Sequence, residues 1–229
     1  MRCPKCGHEQ AEGRSECGGC GIIFHKYERA MARRAAHAQQ ADASGGSVGR
    51  VPLAGRMLLL LLLGYWSLVF VAAPIGANAA GKSVLHLVNL PFHEFGHILF
   101  RPFPPVITSL GGSLGQLMMP LICLFVLLFR TRDLFGAAVC LWWFGENLLD
   151  IAPYINDARS LLLPLLGGNF GHSSPYGFHD WEFILTETGL LNRDHQFAMA
   201  AKVTGSLTMM IALLWGLVAM FRPVRSEAG

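Results

Sequence analysis

Five stretches of this chain are nearly free of charge: 57–74, 84–100, 112–129, 134–151 and 203–221. Each is near or above the length that a helix needs to cross a bilayer, about 20 residues. The expected fold class is therefore an all-α polytopic membrane protein with about five membrane helices. Between the apolar runs, residues 26–43 are rich in Ala, Arg and Gln and are expected to be helical, and Ser44-Gly45-Gly46-Ser47-Val48-Gly49 reads as a linker. Simple alternation from an inside N-terminus places several arginines outside, so either a segment such as 101–112 (RPFPPVITSLGG) is expected to re-enter the membrane without crossing it, or one run does not span. One long polar insertion, 152–200, carries loop chemistry around Gly167, Gly168 and Pro175, then His179-Asp180-Trp181, where a short helix is expected with Asp180 as its N-cap.

Composition narrows the class. Hydrophobic residues make up 52% and charged residues 14%, too apolar and too charge-poor for an average soluble domain. The net charge of +3 is uneven, since 9 of the 18 Lys and Arg fall in the first 56 residues. The basic residues within 1–25 carry no interleaved aromatics, which argues against a nucleic-acid partner. Arg33, Arg34, Arg50 and Arg56 precede the first apolar run, so a cytoplasmic N-terminus is expected. About fifty polar residues precede that run, and no signal peptide is expected.

The six cysteines fall into two groups. Cys3-x2-Cys6 and Cys17-x2-Cys20, with a glycine after each second cysteine, have the spacing of a small zinc ribbon over residues 1–25. Four thiolates leave no open coordination position, so this metal is structural and the module suits binding a protein partner. Thiolates also imply a reducing compartment. Cys123 and Cys140 stand alone in apolar runs and read as small buried residues. A basic helical linker over 26–56 then leads to a membrane domain over 57–222.

The candidate chemistry sits in the second apolar run, as His93-Glu94-Phe95-Gly96-His97. Histidines four residues apart share one helix face and can reach one zinc ion, and the glutamate between them can take a proton from water at that ion. Ionisable residues at membrane depth are costly and mark function. His86, two turns earlier, is read as a cavity residue or a support behind the ligands. A catalytic zinc needs a third protein ligand. One candidate cluster is Glu146, Asp150 and Asp157, at the end of the fourth run; a second is His179 and Asp180, with His172 nearby. The glycines at 111, 112 and 115 permit close helix contact.

HEFGH in a membrane helix, the small-residue stretch 110–116 and the pattern Asn147-Leu-Leu, Pro153, Asp157 together resemble the site-2 protease family of intramembrane zinc metalloproteases. The resemblance covers roughly residues 84–160. It implies that His93 and His97 are zinc ligands, Glu94 the general base, Asp157 the third ligand and Asn147 a residue that holds substrate near the metal. Where that family has Leu-Asp-Gly, this chain has Asn156-Asp157-Ala158. As third ligand, Asp157 ranks first, His179 second and Asp150 third. Two zinc ions are expected, one catalytic and one structural, with the bilayer and a membrane-spanning substrate as partners. The other function class is a non-proteolytic membrane zinc protein with a structural, binding or transport role.

Overall fold

The computed structural model describes residues 1–45, 53–165, 168, 170–171 and 179–221. Among these the chain is helical: α1 (Phe24–Gly45), α2 (Leu53–Ala72), α3 (Val84–Leu99), α4 (Pro105–Phe125), α5 (Leu134–Asn156), α6 (Asp180–Glu187) and α7 (Asp194–Ala219). The expected linker lies largely outside the described residues, as does His172. The chain divides into two compact units, Met1–Val51 and Pro52–Gly229.

In the first unit the two CxxC turns repeat one another. The Cys3 amide donates to the His8 carbonyl and the Gly7 amide to the Cys3 carbonyl; Cys17, Ile22 and Gly21 make the equivalent pair of bonds, all at 2.9 Å. Each turn closes through a left-handed residue, Gly7 at φ 75° and Gly21 at φ 69°, a conformation that glycine adopts without a Cβ penalty. The core beneath is tiny: Cys3, Cys17 and Phe24, with Ile22 against them. The helix expected over 26–43 is α1.

In the second unit, four helical segments are long and apolar enough to cross a membrane: Leu53–Ala72, Pro105–Arg130, Leu134–Asn156 and Leu191–Ala219. The expected five become four because α3 has only 16 residues. At 1.5 Å per residue it is about 24 Å long, less than a hydrocarbon core of about 30 Å. The segment expected to re-enter is resolved differently, as a short turn at 100–104 followed by the start of α4 at Pro105, whose fixed φ suits a first helical position. The outward faces are apolar, with Leu58, Leu61 and Leu68 of α2, Phe125 and Phe129 of the second span, and Leu207, Ile211 and Leu214 of α7 all exposed. An exposed apolar surface that continuous is what lipid covers.

Helix α5 is the centre of this unit, the most buried of the four spans, with α7 along one side and α4 along another. Backbones come close wherever glycines face: a Cβ on Gly145 would lie 2.8 Å from the Gly205 carbonyl oxygen, and one on Gly96 of α3 would lie 2.0 Å from that of Gly111 in α4. Gly111 and Gly115 thus permit the close helix contact that their spacing suggested. Polar anchors fix the ends of the bundle. Arg56 donates to the Met220 carbonyl at the end of α7 (2.9 Å), and Arg159 Nε pairs with the fully buried Asp194 Oδ2 at its start (2.8 Å). In the middle, the Trp142 indole donates to Ser67 Oγ (2.8 Å) with both side chains buried.

Candidate metal centre

His93 and His97 lie on the face of α3 that meets α4, and each presents Nε2 to the same point. What orients them is a hydrogen bond at the other ring nitrogen. His93 Nδ1 donates to Gln116 Oε1 (2.8 Å) and His97 Nδ1 donates to the Thr108 carbonyl (2.9 Å), both from α4. A ring whose Nδ1 carries the proton has its lone pair at Nε2, the arrangement usual for imidazoles that bind metals. Gly112 makes room for the pair, since a Cβ there would lie 2.5 Å from both Nε2 atoms.

The third group is Asp180, at the first turn of α6. Its Oδ2 lies 3.3 Å from His93 Nε2 and 3.3 Å from His97 Nε2. A tetrahedral ion with bonds of about 2.0–2.1 Å sets its ligands about 3.3 Å apart, so the spacing fits zinc or an ion of similar size. His93, His97 and Asp180 could therefore hold one metal ion. Burial alone would push the Asp180 carboxyl up, but the hydrogen bonds to His93 and His97 outweigh it and hold the group down at about 2. Tyr154 secures the aspartate: its hydroxyl donates to Asp180 Oδ2 (3.2 Å) and accepts from the Asp180 amide (3.0 Å). The Trp181 indole donates to Ser113 Oγ (3.1 Å), fastening α6 to α4 beside the cluster.

The residues ranked for the third position are engaged elsewhere. Asp157 Oδ1 accepts from Ser160 Oγ (2.7 Å) and the Leu162 amide (2.9 Å), and Oδ2 from the Leu163 amide (2.8 Å), so its carboxylate closes the turn after α5. His179 is the N-cap of α6 in place of Asp180: its Nδ1 accepts from the Glu182 amide (3.2 Å), and Nε2 faces Asp157 Oδ2 at 3.6 Å. Burial lowers the pKa of this imidazole despite the nearby Asp157 charge. Asp150 bonds His86 Nδ1 (2.9 Å) and Asn89 Nδ2 (3.1 Å), giving His86 its supporting place behind the site. Asn89 Nδ2 also donates to Glu146 Oε2 (3.0 Å). Glu94 is half-buried, and among the described residues it makes no hydrogen bond or ion pair. Asn147 is fully buried and does not touch the three candidate ligands; it accepts from Gln116 Nε2 (3.0 Å).

The sequence reading missed Gln116 and Tyr154 as supports. Gln116 carried a signal, an amide inside an otherwise apolar run, and buried polar side chains between membrane helices need partners. Asp180 stood in the second candidate cluster but was assigned to capping.

In the other unit, Cys3 Sγ and Cys20 Sγ are 3.9 Å apart and Cys6 Sγ and Cys17 Sγ are 3.7 Å apart. Sulfurs bound to one tetrahedral ion at about 2.3 Å stand about 3.8 Å apart, whereas a disulfide would bring them to about 2.05 Å. All four cysteines are free thiols and together could hold a metal ion.

Compared with models of protein families, with curated proteins and with solved structures, the chain finds no match in any of the three.

Proposed function

We propose that this protein is an intramembrane zinc metalloprotease in which His93, His97 and Asp180 hold the ion and Glu94 is the general base. The observation that carries the reading is the 3.3 Å spacing of Asp180 Oδ2 from both imidazole Nε2 atoms, beside a glutamate on the same helix. A zinc ion in that position supplies Lewis acidity, polarising a peptide carbonyl and acidifying nearby water. Glu94 takes a proton from the water as its oxygen joins the carbonyl carbon, then passes that proton to the departing amine as the C–N bond breaks. Tyr154 holds the third ligand, and Gln116 and the Thr108 carbonyl keep both imidazoles in the tautomer that offers Nε2. The His97 side chain stays 25% exposed, which gives water and an unwound substrate segment a way in. Helix-breaking residues in a membrane-spanning substrate favour cleavage, because a hydrogen-bonded helix hides its peptide bonds.

The four-cysteine unit, on this reading, is a structural zinc ribbon on the cytoplasmic side that docks a protein partner or gates substrate. Thiolates persist in that compartment, and basic residues precede the first span.

Glu94→Gln tests the function. The variant is expected to keep its zinc and lose cleavage of a membrane-spanning substrate in reconstituted vesicles. Full cleavage by the variant would overturn the proposal in favour of a metal with a structural, binding or transport role.

A further inference from the structure

We infer that Asn147 is a positioning residue for the metal ligand His93, acting through Gln116, and not a contact to substrate. The inference rests on the metal-binding part of the proposed function and is independent of whether peptides are cut.

The argument runs along one chain of hydrogen bonds. Asn147 Nδ2 donates to the Trp143 main-chain carbonyl (2.9 Å), and a carbonyl can only accept. The amide of Asn147 is thereby fixed, with Oδ1 turned to Gln116, whose Nε2 donates to it (3.0 Å). Gln116 in turn presents Oε1 to His93 Nδ1 (2.8 Å). Because that oxygen also only accepts, a proton of His93 must lie on Nδ1, which leaves Nε2, facing Asp180 Oδ2, as the nitrogen whose lone pair a metal ion would take. A main-chain carbonyl in α5 thus dictates, through two amides, which nitrogen of a histidine in α3 can bind metal.

Burial keeps the chain intact. Asn147 is 0% exposed and Gln116 4%, so water does not compete for either amide. Gln116 Nε2 also lies 3.5 Å from Asp150 Oδ2, a second acceptor that opposes a flip. Were Gln116 to flip, its NH₂ would face Nδ1, favouring the tautomer with Nε2 protonated and unable to bind. His97 is not exposed to this failure, since its Nδ1 bonds the Thr108 main chain. Asn147, for its part, has both polar atoms engaged and no exposed surface to offer a substrate.

The test is the zinc affinity of the full-length protein in detergent, by chelator competition, with the four-cysteine unit intact in every variant. Replacing a partner behind a metal ligand costs about 10- to 100-fold in affinity. Asn147→Leu and Gln116→Leu are each expected to weaken the histidine site by that factor, and the double variant by no more than the larger single effect. Glu at position 116 has two acceptor oxygens and no amide to flip, so Asn147→Leu/Gln116→Glu is expected to regain most of the affinity lost in Asn147→Leu. Should the leucine variant fail to fold, Asn147→Ala carries the same test, with the same loss of about 10- to 100-fold in zinc affinity expected. Wild-type zinc affinity in the Asn147 variants with a changed KM for peptide would overturn it and return Asn147 to substrate binding. Absence of proteolysis by the zinc-loaded wild-type protein, with the affinity losses as stated, would sink the protease reading and leave this one standing.

Discussion

Asp180 Oδ2 stands 3.3 Å from His93 Nε2, although 87 residues separate the two along the chain. On the proposed reading the third ligand therefore comes from a short helix within the polar insertion, not from the end of α5. Asp180→Ala is expected to reduce zinc in the full-length protein from two equivalents to one, and Asp157→Ala to leave both. Metal analysis of detergent-purified protein checks this, and retention of two equivalents in Asp180→Ala would reject the assignment.

Gly112 leaves the space that the two imidazoles use. A methyl group there would lie 2.5 Å from both Nε2 atoms. Gly112→Ala is expected to abolish metal binding at the histidine pair while costing the fold about 1–3 kcal/mol, the usual penalty for overpacking. A cobalt-substituted spectrum that lacks the histidine-site bands, in a variant that still melts cooperatively, is the expected result.

In metal-free protein, Asp180 is held at about 2 against an ordinary 3.8. A depressed carboxylate stabilises the fold above its unfolded value and loses that contribution as pH falls through the folded one. The difference in Tm between wild type and Asp180→Asn, both stripped of metal, is therefore expected to be full between about pH 4 and the pH at which the paired imidazoles deprotonate, and to shrink towards pH 2. A difference unchanged over that range would show that the pairing with the histidines contributes nothing.

Among the described residues, the apolar core of the first unit is Cys3, Cys17 and Phe24 with Ile22 packed against it. Metal binding to such modules supplies about 10–16 kcal/mol of folding energy. Cys17→Ser, or a strong chelator, is expected to open residues 1–23 to tryptic cleavage at Lys5 and Arg14, with the helices of 53–219 still protected. Resistance at those two sites without metal would contradict a metal-dependent fold.

Local spacing made part of this legible in the sequence. The pairing of His93 with His97 follows from the 3.6-residue helical repeat, and the two CxxC turns repeat because each uses the same glycine-closed bond pattern. The apolar runs foretold four of the long spans for the same reason. What spacing could not supply was Asp180, whose place depends on how the chain returns across the bundle after α5. Asp157 is the third ligand that the family resemblance implies, yet the amides of Leu162 and Leu163 lie within its reach and claim it. The shortness of α3 was partly legible, since the apolar run 84–100 meets Arg101 and Pro102 directly, but spacing alone did not single it out from the other runs.

That shortness has a consequence for the lipid. The outward side of α3, with Val84, Leu87, Phe95 and Ile98 exposed, offers only 16 residues of apolar helix beside spans of 20 to 29. Bilayers meet such hydrophobic mismatch by thinning locally, at a fraction of a kcal/mol per Å. On the proposed reading, thinning of this kind draws the leaflet next to His93 and His97 inward, and the headgroup region with its water comes down towards the site. Membrane thickness becomes a control on access: bilayers of shorter acyl chains relieve the mismatch, and thicker ones must deform more to wet the same residues.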